Sequence, residues 1–212
     1  MEKAMSYSKL FITGYDSTTK WMWPWFKENF KKHMPDANIH AYNFDEFKAP
    51  ILGNKNWFKK PFAMQDAAKK ASAVCWIDSD VEIKANVEDI FDHCEPNKLA
   101  MVEDSPWTAR KQETWHNSGV VAFNSRPNIL DEWAAAISSL PEVTNSMFGD
   151  QDVLHHLVKQ DMRRRIHITD LPKAYNTLRL DLLDNTAPPE LRIKMMHWTG
   201  NKGKDQIRSM MK

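Results

Sequence analysis

The sequence predicts an α/β fold with a mostly parallel central sheet, flanked by helices in one compact domain. Two observations carry that prediction. Short strand-like runs alternate with stretches of helical spacing, as successive βα units require. Two of the strand-like runs also end in polar residues, Thr13-Gly14-Tyr15-Asp16 and Asp78-Ser79-Asp80, and ligands of such sheets bind beyond the carboxyl ends of the strands.

The elements follow in order. Lys9 to Gly14 reads as a first strand closed by a glycine turn. Thr18 to His33 reads as a helix that tolerates Pro24 only near its first turn, where no intrahelical N–H is required. Asn38 to Asn43 reads as a second strand marked by Ile39 and Tyr42. Phe62 to Ser72 carries apolar residues at helical spacing and leads into the strand Val74-Cys75-Trp76-Ile77. Further strands are expected at Leu99–Val102 and Gly119–Phe123, and further helices from Pro127 through Ile137 and over Asp150–Gln160.

Composition narrows the function classes. With 212 residues the chain is long enough to bury a full core, and 42% hydrophobic with 27% charged residues is an ordinary globular balance. A formal net charge of +1 gives no reason to favour nucleic acid as a partner. The run Arg163-Arg164-Arg165 is short and isolated, and reads as a solvated turn. Neither a secretory leader nor an apolar run of membrane-spanning length is visible, so a cytoplasmic protein with reduced thiols is expected. The two cysteines, Cys75 and Cys94, form no framework, and with His93 and His116 they match no familiar zinc spacing.

The Asp78-Ser79-Asp80 segment is the most informative chemistry in the chain. Carboxylates at i and i+2 of an extended segment share a face and can converge on one hard cation. Oxygen ligands at roughly 2.0–2.2 Å suit Mg²⁺ or Mn²⁺, which commonly share them with substrate phosphates. By itself the pattern is unspecific.

More motifs join it in order: Lys60-Pro61, Asn117-Ser118-Gly119 before an apolar strand, Gly149-Asp150-Gln151-Asp152 opening a helix, and His197-Trp198-Thr199-Gly200-Asn201-Lys202. Together with Asp78-Ser79-Asp80 this set resembles the GT-A-fold nucleotide-sugar glycosyltransferases, in particular the glycogenin and galactosyltransferase-type retaining enzymes of family eight. The resemblance runs from about residue 9 to residue 204. It implies a single GT-A domain over 1–212, with a nucleotide-binding part to about residue 105 and a sugar- and acceptor-binding part after it. It also implies transfer of a hexose from a UDP-sugar to a carbohydrate, lipid or protein acceptor. In that family Asp78 and Asp80 would hold Mn²⁺ (or Mg²⁺) against the donor diphosphate, with His197 as third ligand and Asp78 also reaching the ribose. Thr13, Gly14 and Tyr15 would cradle the base, and Ser79, Lys60, Gly200, Lys202 and Lys204 would approach the donor, a solvent-facing Lys60 staying nearly as open. The family's usual Lys-Pro ending is replaced here by Lys202-Gly203-Lys204, which leaves open which lysine serves. Asn117, Ser118, Asp104, Asp150 and Gln151 would surround the sugar, with Gln151 beneath it as a polar stabiliser; a turn-capping role for Asp104 stays equally open.

Nine tryptophans are many for this length. Trp21, Trp23 and Trp25 read as core anchors, while Trp107 and Trp115, in the loop before Asn117, could line an acceptor groove. Three alternatives remain. One is an inverting transferase with Asp150 or Asp152 as general base, and another is a nucleotide-sugar binding protein without turnover. The third is a haloacid-dehalogenase-type phosphatase, against which Glu82 stands where Thr or Val is preferred.

Overall fold

The computed structural model describes residues 7–53, 55–142 and 148–211. In chain order the elements are β1 (Tyr7–Tyr15), α1 (Trp23–His33), β2 (Ile39–Asn43), α2 (Lys60–Ala67), β3 (Ala71–Ile77), β4 (Val81–Ile83), β5 (Leu99–Glu103), α3 (Ser105–Lys111) and β6 (His116–Asn124). They continue with α4 (Asn128–Ser138), α5 (Asp150–Val158), α6 (Asp161–His167), β7 (Ile168–Asp170), β8 (Thr177–Leu178), α7 (Arg179–Leu183), β9 (Met195–His197) and α8 (Gly200–Met210).

Six strands make the central sheet in the order β2-β1-β3-β6-β5-β7, and β4-β9-β8 make a second, smaller sheet. In the central sheet only β6 runs against its neighbours; β1 pairs in parallel with β2 and β3, and β5 with β7. The sheet is thus mostly parallel, and its central strands are buried on both faces. Leu10, Ile12, Val74 and Trp76 point into one apolar cluster with Met64, Phe123 and Trp133. Phe11, Cys75 and Ile77 point into the other with Phe26, Phe30 and Val120. Continuous apolar runs are what two-sided burial demands of such strands. Among the described residues no helix is long and apolar enough to cross a membrane.

Several expected boundaries shift for local reasons. The Thr18–His33 segment opens with a 3₁₀ turn at Lys20–Met22, and the α-helix starts at Trp23 with Pro24 in its first turn. The helix expected over Phe62–Ser72 lies earlier, at Lys60–Ala67, because Pro61 fits its first turn while Ala71 already pairs with Tyr7 in the sheet. Arg163-Arg164-Arg165 is not a turn but part of α6. Trp107 lies in a helix, not a loop: the Asp104 carboxylate caps α3 by accepting from Trp107 N at 3.1 Å, and Pro106 pre-sets its first turn.

Candidate active site

The site forms where β3 leaves the central sheet and the small sheet crosses its end. Asp78 N donates to Gly119 O at 2.8 Å, and Val81 N returns to Asp78 O at 3.1 Å, so Asp78-Ser79-Asp80 is a tight turn between β3 and β4. Pairing of β4 with β9 sets Val81 opposite His197, and Trp198 N donates to Asp80 O at 3.0 Å. That register delivers the His197 ring to the carboxylates. His197 Nε2 lies 3.2 Å from Asp80 Oδ1 and 4.0 Å from Asp78 Oδ2. One ligand atom from each of Asp78, Asp80 and His197 lies within 4.8 Å of the others, the one such grouping of three among the described residues. Gly119 makes room for the imidazole, since a Cβ there would stand 2.2 Å from His197 Cε1.

The charges are mutually adjusted. Burial raises the Asp78 carboxyl above its ordinary pKa against the pull of Lys60. Burial would raise Asp80 too, but His197 holds it below the usual range; burial would lower His197, and Asp80 instead keeps it above. Two carboxylates and an imidazole nitrogen converging from one side are a donor set that fits Mn²⁺ or Mg²⁺. The other ring nitrogen, Nδ1, is engaged by Asn176 Oδ1 at 3.1 Å, as ligating histidines usually require. Cys75, Cys94, His93 and His116 form no comparable group among the described residues.

Lys60 is not solvent-facing. It lies buried at the first turn of α2, with Nζ 3.1 Å from both Asp78 Oδ1 and Asp150 Oδ2 and donating to Ser118 O at 3.0 Å and Ser118 Oγ at 3.1 Å. Its ammonium braces two carboxylates on different elements. Trp76 Nε1 steadies Asp78 further at 2.6 Å.

Beyond Lys60 lies a network of amides. Gln151 Oε1 accepts from Ser118 N and Asn117 Nδ2, both at 3.1 Å, while Gln151 Nε2 donates to Asp104 Oδ2 at 3.3 Å. Asp104 Oδ2 also accepts from Asn117 Nδ2 at 3.2 Å, so the residue both caps α3 and faces the network. Asp150 accepts from Ser118 Oγ at 2.8 Å, and Asp152 accepts from Gly149 N at 2.8 Å to cap α5. Neither of these two carboxylates is free.

Two cavities, of about 290 and 400 Å³, meet at Trp57, Asn117, Asp150 and Gln151. The smaller is walled by Gly14, Tyr15, Ser79, the Asp78/Asp80/His197 group, Ser118 and Lys204. Gly14 is required there because a Cβ would come within 2.5–2.7 Å of the stacked Phe44 and Trp76 rings. Tyr15 stacks on Trp23, and Asn56 reaches Asp16 at 3.2 Å on the same rim. Thr13 is fully buried and absent from the wall. Of the C-terminal lysines, Lys204 lines the cavity while Lys202 is exposed away from it, as is Gly200. The larger cavity is lined by Asp104, Trp107, Trp115, Phe148 and Leu180 among others. Trp115 is buried and stacks on His155 at 3.6 Å, which makes it a wall; Trp107 is half-exposed. Trp57, Asn56 and Asn176 belong to no motif in the sequence. Trp57 is 40% exposed on the rim of both cavities, an aromatic left in water beside a cleft, but no sequence signal separates it from eight other tryptophans.

No family model matches this chain, and no curated protein does. Solved structures do. A glycosyltransferase involved in glycosylation of the major capsid of PBCV-1 is 15% identical over 96% of this chain and 99% of that one, with a TM-score of 0.65. The galactosyltransferase LgtC, solved with donor and acceptor sugar analogs, is 12% identical over 95% of this chain and 94% of that one, at 0.60. GlyE of Streptococcus pneumoniae TIGR4 is 15% identical over 92% of this chain and 55% of that one, at 0.64. At these identities the likeness is one of fold: the chain has the GT-A fold of these glycosyltransferases.

Proposed function

We propose that this GT-A chain is a metal-dependent glycosyltransferase moving a hexose from a UDP-sugar to an acceptor hydroxyl, with retention of configuration. The observation that carries the reading is the convergence of Asp78, Asp80 and His197 on the wall of one cavity, next to a second cavity that shares Asn117, Asp150 and Gln151 with it. The small cavity would take the nucleotide, with Tyr15 and Asn56 on its base side; the large one would take the acceptor against Trp57 and Trp107. Residues before about 105 thus supply most of the base side, and later residues most of the acceptor side.

A divalent cation held by Asp78, Asp80 and His197 would offset the negative charge that gathers on the departing diphosphate. Lys204 supplies a second positive group to the same cavity, and its charge already helps hold the Asp80 carboxyl low. Asn117 and Asp104 would bind sugar hydroxyls, and Gln151, fixed at both ends of its amide, would lie beneath the ring as a rigid polar floor. As the anomeric C–O bond to phosphate breaks, the acceptor oxygen bonds to the same carbon from the same face, and its proton passes to the departing phosphate oxygen. The engagement of Asp150 by Lys60 and of Asp152 by its helix cap disfavours the inverting alternative, which needs a free carboxylate base.

UDP release from a panel of UDP-sugars, with Mn²⁺ and an array of carbohydrate, lipid and peptide acceptors, tests the reading. The expected result is acceptor-stimulated release that Asp80→Asn abolishes, with a product whose anomeric proton coupling matches the donor. Release without metal would overturn the metal role, and an inverted product would overturn retention.

A further inference from the structure

We propose that Asn176 is the positioning residue that fixes the ring of His197, keeping hydrogen on Nδ1 so that Nε2, beside Asp78 and Asp80, is the nitrogen left to ligate a cation. The inference rests on the metal-site reading above and adds how this chain prepares its histidine. It follows from two backbone N–H groups, whose hydrogens are fixed by covalent structure.

Ser118 N donates to Gln151 Oε1 at 3.1 Å, so the Asn117 atom that also faces this oxygen at 3.1 Å must be a donor, Nδ2. Gly119 N independently donates to the other amide atom of Asn117 at 2.9 Å, which must therefore be Oδ1. Both ends agree on the orientation of Asn117. Its Oδ1 faces Asn176 at 2.8 Å, and only a donor can sit there, so that atom is Asn176 Nδ2. The remaining atom, Asn176 Oδ1, can only accept, and it lies 3.1 Å from His197 Nδ1. Nδ1 must carry the hydrogen. Nε2 is then the nitrogen that faces Asp80 at 3.2 Å and Asp78 at 4.0 Å.

Burial makes the instruction strict. Asn176 is fully buried and His197 nearly so, so water offers no substitute partner. Turning the Asn176 amide over would oppose two oxygens at Asn117, an unsatisfied buried arrangement of the kind proteins avoid. The chain places Asn176 there by pairing β8 with β9 in parallel, which sets Leu178 beside His197 and brings the residue just before β8 onto the ring. One amide thereby ties the histidine of the metal group to Asn117 and Gln151 on the sugar side.

Mn²⁺ titration followed by the EPR signal of the free ion tests the inference in the absence of any sugar. Asn176→Leu removes both hydrogen bonds, and the affinity should fall about 10- to 100-fold, the usual effect of removing a partner of a ligating histidine. Asn176→Asp keeps an acceptor for Nδ1–H while setting an oxygen against Asn117 Oδ1, so it should lose stability as the Leu variant does and yet hold the Mn²⁺ affinity above it. Equal losses of affinity in both folded variants would indicate a merely structural role and overturn the proposal, as would wild-type affinity in Asn176→Leu. In wild-type protein carrying Zn²⁺ as a diamagnetic substitute, long-range ¹H–¹⁵N spectra should place the His197 ring hydrogen on Nδ1; hydrogen on Nε2 would overturn the proposal without any variant. If Asp80→Asn leaves Mn²⁺ binding unchanged, the metal-site reading itself fails. If Asp80→Asn weakens binding but Asn176→Leu does not, only this inference fails.

Discussion

Replacing Lys60 with Met removes one buried ammonium and leaves two carboxylates facing each other's field. The side chain fits by length, so the perturbation is electrostatic more than steric. Each ion pair of Lys60, at 3.1 Å, carries about 5 kcal/mol of Coulomb attraction at an effective dielectric near 20, much of it offset by the cost of burying the charges. Burial opposes the charged form of Lys60, yet Asp150 and Asp78 hold its pKa above the ordinary lysine value. Removing one partner of such a buried group typically costs about 3–5 kcal/mol, because the orphaned charges remain. In a chain of this size that is a fall of about 6–20 °C in Tm. Urea unfolding in chelator, followed by tryptophan fluorescence, measures it. Asp150→Asn added to Lys60→Met neutralises one orphan and should restore part of the loss. A cost below about 1 kcal/mol for Lys60→Met, or a further loss in the double variant, would refute the bracing role.

Gly119→Ala drives a methyl group into His197 and should cost about 1–3 kcal/mol while weakening Mn²⁺ binding at least tenfold; calorimetry that finds unchanged affinity would contradict the packing argument. Trp57→Ala, at a side chain 40% exposed, should change stability by less than about 1 kcal/mol yet raise acceptor KM several-fold, and unaltered steady-state kinetics would remove Trp57 from the acceptor side. The Asp66 carboxyl is partly buried, which would raise its pKa, but Lys70 and Tyr42 hold it below 3.8. The unfolded chain therefore takes up the proton first, so the stability Asp66 contributes is complete above pH 3.8 and is lost as pH falls through the folded value. Asp66→Asn should cost about 1 kcal/mol at pH 7, discounted for exposure, and flatten the acid limb of the stability curve; a parallel-shifted curve would be the contrary result.

The parts legible in the sequence are those with local causes. Apolar runs such as Val74–Ile77 and Val120–Phe123 announce buried strands, and Pro24 marks the first turn of a helix. Asp78-Ser79-Asp80 stood out as a possible cation site by its two neighbouring carboxylates, but they converge through a tight turn and the β4–β9 register and not through the extended spacing expected of them. The rest depends on pairing between distant segments. β4, β8 and β9 are three, two and three residues long and exist only because they pair with one another. Helix α8 contradicts local propensity, opening on Gly200 and carrying Gly203 inside. A Cβ at Gly203 would stand 2.0 Å from Trp198 O, so the helix accepts a poor helix former to pack against the strand that holds His197. Lys60 looked like one lysine among many because nothing in Lys59-Lys60-Pro61 tells which ammonium the fold will bury. Asn176 had no motif at all, since its role arises from the β8–β9 register.

The proposed function requires nucleotide binding to run through Asp78, Asp80 and His197. The direct measurement is the thermal shift given by UDP and UDP-sugars with Mn²⁺, with Mg²⁺ and with chelator, in wild type and in Asp80→Asn. At 100 times its Kd a ligand adds about 2.7 kcal/mol, or about 5–11 °C for a chain of this length. That shift is expected in wild type only when metal is present, and none is expected in Asp80→Asn. An equal shift in chelator, or an undiminished one in Asp80→Asn, would contradict the proposed function.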